Sequence, residues 1–176
     1  MMTTELQVFL VDLQPVFQEE STWGEVKLKV GYYLTGQLPP TDLIASVRSV
    51  VFKGDNVVTI QNPNTVNILP GGRVEAGESL VDALKRELLE ETRWRVQDPQ
   101  QIGFMHFHHL TPKPEGYQYP DFLQLVSTVE AKDHDASLEI QDDLVVESGL
   151  VRLSNVADMD LPESEQLFLR AALDLR

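Results

Sequence analysis

The chain has 176 residues, 42% hydrophobic and 24% charged, enough for one globular domain with its own core. A net charge of −14 and a pI near 4.5 argue against affinity for long nucleic acids, which comes from basic contacts to phosphates. The absence of cysteine removes disulfides, thiolate metal sites and cysteine nucleophiles.

At the N-terminus there is no basic leader, and Glu5 and Asp12 flank the one short apolar run. No stretch approaches the ~20 apolar residues of a membrane span. A soluble, cytoplasmic protein, monomer or homodimer, is expected. Residues 5–13 and 25–34 read as strands, the second by the alternation of Val26, Leu28 and Val30. Gly36, Pro39 and Pro40 then break the pattern. Ile44 to Phe52 is rich in β-formers, and Gly54-Asp55-Asn56 predicts a hairpin turn into Val57–Ile60. Alternation puts Ile44, Ser46, Arg48, Val50 and Phe52 on one face. Arg48 is then either an exposed strand arginine or a planar fork suited to a phosphate, with Ser46 beside it.

The stretch from Gly71 to Val96 carries the chemistry. Gly71-Gly72 permits a close backbone approach of the kind a loop around a bound phosphate needs. Ser79, with Asp82 three residues on, resembles a capping box and starts a helix. Leu80, Val81, Leu84 and Leu88 form its apolar stripe. At about 100° per residue, Glu87, Glu90 and Glu91 crowd one face. Like charges at that spacing repel. A hard divalent cation with oxygen ligands relieves the repulsion, so Mg²⁺ or Mn²⁺ is the expected occupant. Taken alone, a solvated acidic face is the plainer reading of such a run.

Beyond the helix, residues 102–110 read as a strand containing His106, His108 and His109. His106 and His108 share a face, yet no further ligand is spaced to complete a tetrahedral site, so a structural or substrate-lining role is expected. Residues 111–121 read as a loop whose Tyr117 and Tyr119, with Phe122 beyond, are candidates to stack on a base. Phe122–Glu130 is a strand, 131–143 an acidic loop and 145–153 a last strand. Residues 162–173 form a closing helix packed through Leu167, Leu169, Ala172 and Leu173. Strands around a central helix, with another helix at the end, read as α/β with a mixed sheet.

The spacing of Gly72, Glu78 and Arg86-Glu87-Leu88-Leu89-Glu90-Glu91 resembles the box of the Nudix hydrolases, the MutT-like family. The resemblance implies a curved mixed sheet between helices, with residues 1–41 as an extra N-terminal β segment that adds strands, covers the substrate or pairs two subunits, and 42–175 as the core of a single domain. It implies water attack on phosphorus in a diphosphate linked to a nucleoside. The implied metal ligands are Glu87, Glu90 and Glu91 with a backbone carbonyl near Gly72. Arg86 is the implied orienting partner, and Glu78 holds the arrangement. The general base comes either from the box or from a later segment. Glu147 is the candidate outside it, competing with Asp142, Asp143 and an ordinary solvated acidic stretch. Arg93 stands where the family has a glycine that ends the helix, so a different helix ending is expected.

Three branches of the family are set aside. The isomerase acting on isopentenyl diphosphate relies on a cysteine, and the extra motifs of the coenzyme A and NADH branches are not visible. His109-Leu110-Thr111-Pro112 matches neither the ADP-ribose nor the dinucleoside polyphosphate pattern cleanly. The expected substrate is a nucleoside di- or triphosphate, with a nucleoside diphosphate sugar or ADP-ribose second. A non-catalytic nucleotide sensor is disfavoured by the intact glutamates.

Overall fold

The structure is a computed structural model and describes residues 4–112, 118–141 and 144–176. The chain runs α1 (Thr4–Leu10), β1 (Phe17–Trp23), β2 (Val26–Leu34), β3 (Ile44–Lys53), β4 (Asn56–Gln61), β5 (Val66–Asn67) and β6 (Gly71–Arg73). It continues with α2 (Leu80–Thr92), β7 (Trp94–Val96), β8 (Gln100–His109), β9 (Asp121–His134), β10 (Glu147–Arg152) and α3 (Glu163–Leu173). The main path of the sheet is β1-β2-β8-β9-β3-β4-β10. Its β3–β9 pair is parallel and its other neighbours antiparallel, so the sheet is mixed as expected. Among the described residues no helix is long and apolar enough to cross a membrane.

Each face of the sheet carries an apolar cluster. On one side Val50, Phe52, Met105, Phe107 and Phe122 pack with Phe168, Leu169 and Ala172 of α3. On the other Val47, Val51, Phe104 and Leu123 pack with Ala83, Leu84 and Leu88 of α2 and with Leu6 of α1. Burying each leucine on α2 is worth about 1.5–3 kcal/mol, more than the propensity of a helix this short can supply.

Several expectations change. Residues 5–13 are not a strand: Leu6, Phe9, Leu10 and Leu13 recur at helical spacing and lie against the α2-side cluster, so Thr4–Leu10 is helical. The extension does add β structure, through Phe17–Trp23, a polar edge strand paired in register with β2. Ile44 leaves the face of Ser46, Arg48, Val50 and Phe52, because the β3–β9 register shifts between Ile44 and Ser46. The acidic loop expected at 131–143 begins later. β9 runs on to His134, where it pairs with β7 at Trp94. On α2 the stripe includes Ala83 while Val81 is exposed, and on α3 Phe168 fills the core while Leu173 points outward.

Helix α2 starts as its sequence says. Ser79 caps it, its hydroxyl accepting the Asp82 amide at 3.1 Å. Its end departs from expectation in the opposite sense. Arg93 adopts the left-handed conformation at φ 61° that a glycine would take, and its amide donates to the Leu89 carbonyl at 2.9 Å. The helix therefore stops where a glycine would stop it, at a backbone cost of about 1–2 kcal/mol.

Candidate active site

The Gly71–Arg73 strand is laid against β3, so that Arg48 faces Gly71 and Val47 faces Gly72. Gly71 has φ 136°, and a side chain there would overlap the Val47 carbonyl. This close approach brings the turn against the acidic face of α2. The Gly71 amide donates to Glu91 Oε2 at 2.6 Å, and Glu91 is only 5% exposed. A methyl on Gly72 would overlap the Glu87 carboxylate, so that contact is also built for glycine.

Arg86 collects the remaining carboxylates. Its Nε and Nη2 each donate to Glu78 at 3.0 Å, and its Nη1 donates to Glu87 at 2.8 Å and to Glu90 at 3.2 Å. Nη2 also reaches the Arg73 carbonyl at 2.9 Å. These hydrogen bonds, that to Glu78 first, raise the guanidinium pKa and hold the Glu78 carboxyl below the usual carboxylate range. Three carboxylates, those of Glu78, Glu87 and Glu90, therefore share one guanidinium.

Among the described residues no three acidic or imidazole groups stand as a ready cation cage. A cation here would draw the Glu87 and Glu90 oxygens away from Arg86 Nη1. The donor set nonetheless fits one: hard carboxylate oxygens in charge excess, beside a glycine backbone that no side chain shields.

The box opens into a cleft of about 740 Å³. Glu87, Glu91, Gly71, Gly72 and Arg73 line it. Arg48 lines it too, held by Nε to Gln124 Oε1 at 3.2 Å and by Nη1 to the Leu69 carbonyl at 3.0 Å. Trp23, Met105, Leu69 and Glu165 complete other walls. Glu165, on the first turn of α3, is 8% exposed and accepts the Ile68 amide at 2.8 Å. Burial pushes its carboxyl up to about 6, against the opposing pull of that amide and of Arg48.

Not every expected site residue lines this cleft. Glu90 lies beside it, tied to Arg86. Ser46 is buried between β6 and β9, and Tyr119 turns its ring toward His109 at 5.5 Å. Glu147 is exposed where β10 begins, opposite Gln61. Tyr117, Asp142 and Asp143 fall outside the described residues. His106 and His108 both bond Asp121 Oδ1, at 2.7 and 2.8 Å. Burial pushes the Asp121 carboxyl up, but the two imidazoles outweigh it and keep it below its ordinary value. Trp23 and Glu165 were missed by sequence reasoning. Trp23 closes a polar strand and Glu165 sits in an ordinary acidic first turn, and neither position carries a periodic signal.

Residues 42–171 match the NUDIX domain profile. The chain belongs to the Nudix family. It is a hydrolase acting on phosphorus anhydrides. No curated protein matches it in sequence. Among solved structures the Nudix fold is shared with the Bacillus subtilis pyrophosphohydrolase BsRppH, at 13% identity and TM-score 0.64 over 91% of this chain and 98% of that one. A NUDIX hydrolase from Nitrosomonas europaea gives 18% identity and TM-score 0.58, covering 73% and 87%. The NUDIX domain of Shewanella oneidensis NrtR, complexed with ADP ribose, gives 20% and 0.55, covering 80% and 95%.

Proposed function

We propose that this Nudix protein is a metal-dependent hydrolase of nucleoside di- and triphosphates, releasing a nucleoside monophosphate with phosphate or pyrophosphate. The observation that carries the reading is one cleft lined both by carboxylates and glycines and by aromatic and apolar side chains. A nucleotide has the same two halves, an anionic chain and a flat ring.

The metal ligands in this reading are Glu87, Glu90 and Glu91, with the Gly72 carbonyl. Mg²⁺, or Mn²⁺ in its place, would neutralise charge on the phosphate oxygens, the main demand of phosphoryl transfer. The protein's own part is positioning. The Gly71 amide fixes Glu91, and Arg86, braced by Glu78, holds Glu87 and Glu90 in place until they are needed. Arg48 offers a planar fork to a phosphate from the cleft wall. Glu147 is the candidate base outside the box, and a box glutamate is the alternative.

A phosphate-release assay with and without Mg²⁺, with pyrophosphatase added to catch pyrophosphate, tests this directly. Release from nucleoside di- and triphosphates only with the cation is expected. Undiminished release in EDTA, or none from any nucleotide, would sink the reading.

A cleft of about 740 Å³ is roomy for a triphosphate alone, and the Shewanella domain binds ADP ribose. These favour a nucleoside diphosphate sugar or ADP-ribose as the second reading.

A further inference from the structure

The family match begins at residue 42, yet the cleft has a wall that comes from before it. That wall is Trp23, the last residue of β1, set where the chain turns through Gly24 into β2. The hairpin registers Trp23 against Val26, and β2 in turn pairs with β8, so the turn is anchored to the sheet. The indole leans on two phenylalanines, with its ring centre 5.2 Å from Phe107 and 6.0 Å from Phe122. Those two are themselves stacked at 4.7 Å, nearly parallel. One side of Trp23 is thus packed while 37% of the residue stays exposed, at the cleft. Between Phe17 and Trp23 the edge strand is polar, and a half-open tryptophan at its end has no packing need that a smaller apolar residue would not meet.

We propose that Trp23 is the platform on which the substrate's base stacks, so that the N-terminal hairpin completes the substrate site. The inference rests on the nucleotide reading above and names the group that holds the ring. A stacking face accepts any base, because every base has a π-face. Met105 and Leu69 also line the cleft. The phosphates are left to Arg48 and the box. Trp94, the second tryptophan, lies under Lys53 at 5.3 Å and beside His134, away from the cleft lining.

Trp23 fluorescence gives a readout that needs neither metal nor hydrolysis. Titrating AMP or GMP into the protein in EDTA should quench emission. Trp23→Phe should lose that quench, since Trp94 does not line the cleft, while keeping KM within about threefold because an aromatic face remains. Trp23→Leu, which keeps an apolar packing surface, should raise KM for nucleoside triphosphates about tenfold or more with kcat changed less than threefold, the pattern of lost uniform binding. Inhibition by inorganic tripolyphosphate, which has no ring, should be unchanged. The proposal is overturned if Trp23→Phe keeps the quench, if Trp23→Leu leaves nucleotide KM unchanged, or if tripolyphosphate inhibition weakens as much as nucleotide binding. A protein that shows the quench but hydrolyses no nucleotide would instead refute the hydrolytic reading and leave the base seat standing.

Discussion

Arg86 grips Glu78 with two parallel hydrogen bonds, Nε to Oε1 and Nη2 to Oε2, each 3.0 Å. Glu78 precedes the helix and Arg86 sits on it, so the pair ties the glycine turn to the acidic face. The same guanidinium then has Nη1 left for Glu87 and Glu90. Bidentate geometry is what makes arginine, and not lysine, fit this position.

Glu78→Gln should therefore release Arg86 onto Glu87 and Glu90 and lower kcat by about tenfold, with nucleotide KM changed much less. The pH consequence follows from the sign of the shift. The Glu78 carboxyl is held down by Arg86, so its stabilisation is present above the ordinary carboxylate pKa and is lost as pH falls through the lowered one. Melting curves at falling pH should show a steeper acid loss in the wild type than in Glu78→Gln. Parallel acid limbs would remove the pair from the account.

Activity should require a divalent cation, and Glu90→Gln or Glu91→Gln should each lower kcat at least ~100-fold, the scale of a lost electrostatic stabiliser. The two should differ in stability without metal. Glu90→Gln removes one charge from a crowded face and should be no less stable than wild type. Glu91→Gln weakens the bond from the Gly71 amide and should melt lower. Full turnover in EDTA, or wild-type kcat in both variants, would sink the assignment.

The box was legible because its chemistry leaves a fixed spacing: Ser79 as cap, the acidic face and Arg86 all stand where the sequence put them. The longer strands from Ile44 onward were legible by their β-forming residues, while the short strands Val66–Asn67, Gly71–Arg73 and Trp94–Val96 were not. Residues 5–13 were not, because Leu6, Phe9, Leu10 and Leu13 also read as a short β-rich run, and the helical period decides only once a core is there to receive it. Arg93 went against its sequence expectation, its backbone held by its own amide to the Leu89 carbonyl and by the Asp135 amide to its carbonyl, and such tertiary bonds override a local backbone preference. The cleft's far wall was out of reach, since Trp23 and Glu165 are brought together by hairpin register and helix packing alone.

Glu165 predicts a second pH dependence, opposite in sense. Its pKa is raised by burial from 4.5 to about 6, so the folded protein holds this proton more tightly than the unfolded chain does. Stability contributed here is fully present below about 4.5 and lost as pH climbs to about 6, roughly 2 kcal/mol in all. Glu165→Gln keeps an oxygen for the Ile68 amide and removes the titration. Its Tm should rise relative to wild type by about 4–8 °C between pH 4.5 and 7. A difference that stays constant with pH would place the Glu165 carboxyl in water.

Glu147→Gln should flatten the alkaline rise of the pH–rate profile while leaving cation affinity little changed, if Glu147 takes the proton from the attacking water. Glu147 starts an exposed edge strand and does not line the cleft, so the experiment discriminates well. A profile that keeps its shape in Glu147→Gln and changes only in a box variant assigns the base to the box.

In the proposed reading the box binds phosphates, so choice among nucleosides must come from the rest of the cleft. An aromatic platform holds all bases with similar strength. Activity should therefore extend over several nucleoside di- and triphosphates, with differences among bases smaller than the preference for a free diphosphate end over a sugar-capped one. Arg48→Lys should lower kcat/KM for all of them alike, because a point charge cannot keep the bonds to Gln124 and Leu69 while offering a fork to phosphate. Tyr119→Ala should have little effect, its ring being committed to His109. The measurement is a panel at fixed Mg²⁺ that includes the common nucleotides, ADP-ribose, nucleotide sugars and a dinucleoside polyphosphate. Should ADP-ribose or a nucleotide sugar win by more than ~tenfold in kcat/KM, about 1.4 kcal/mol, the roomy cleft belongs to a capped substrate and the second reading replaces the first.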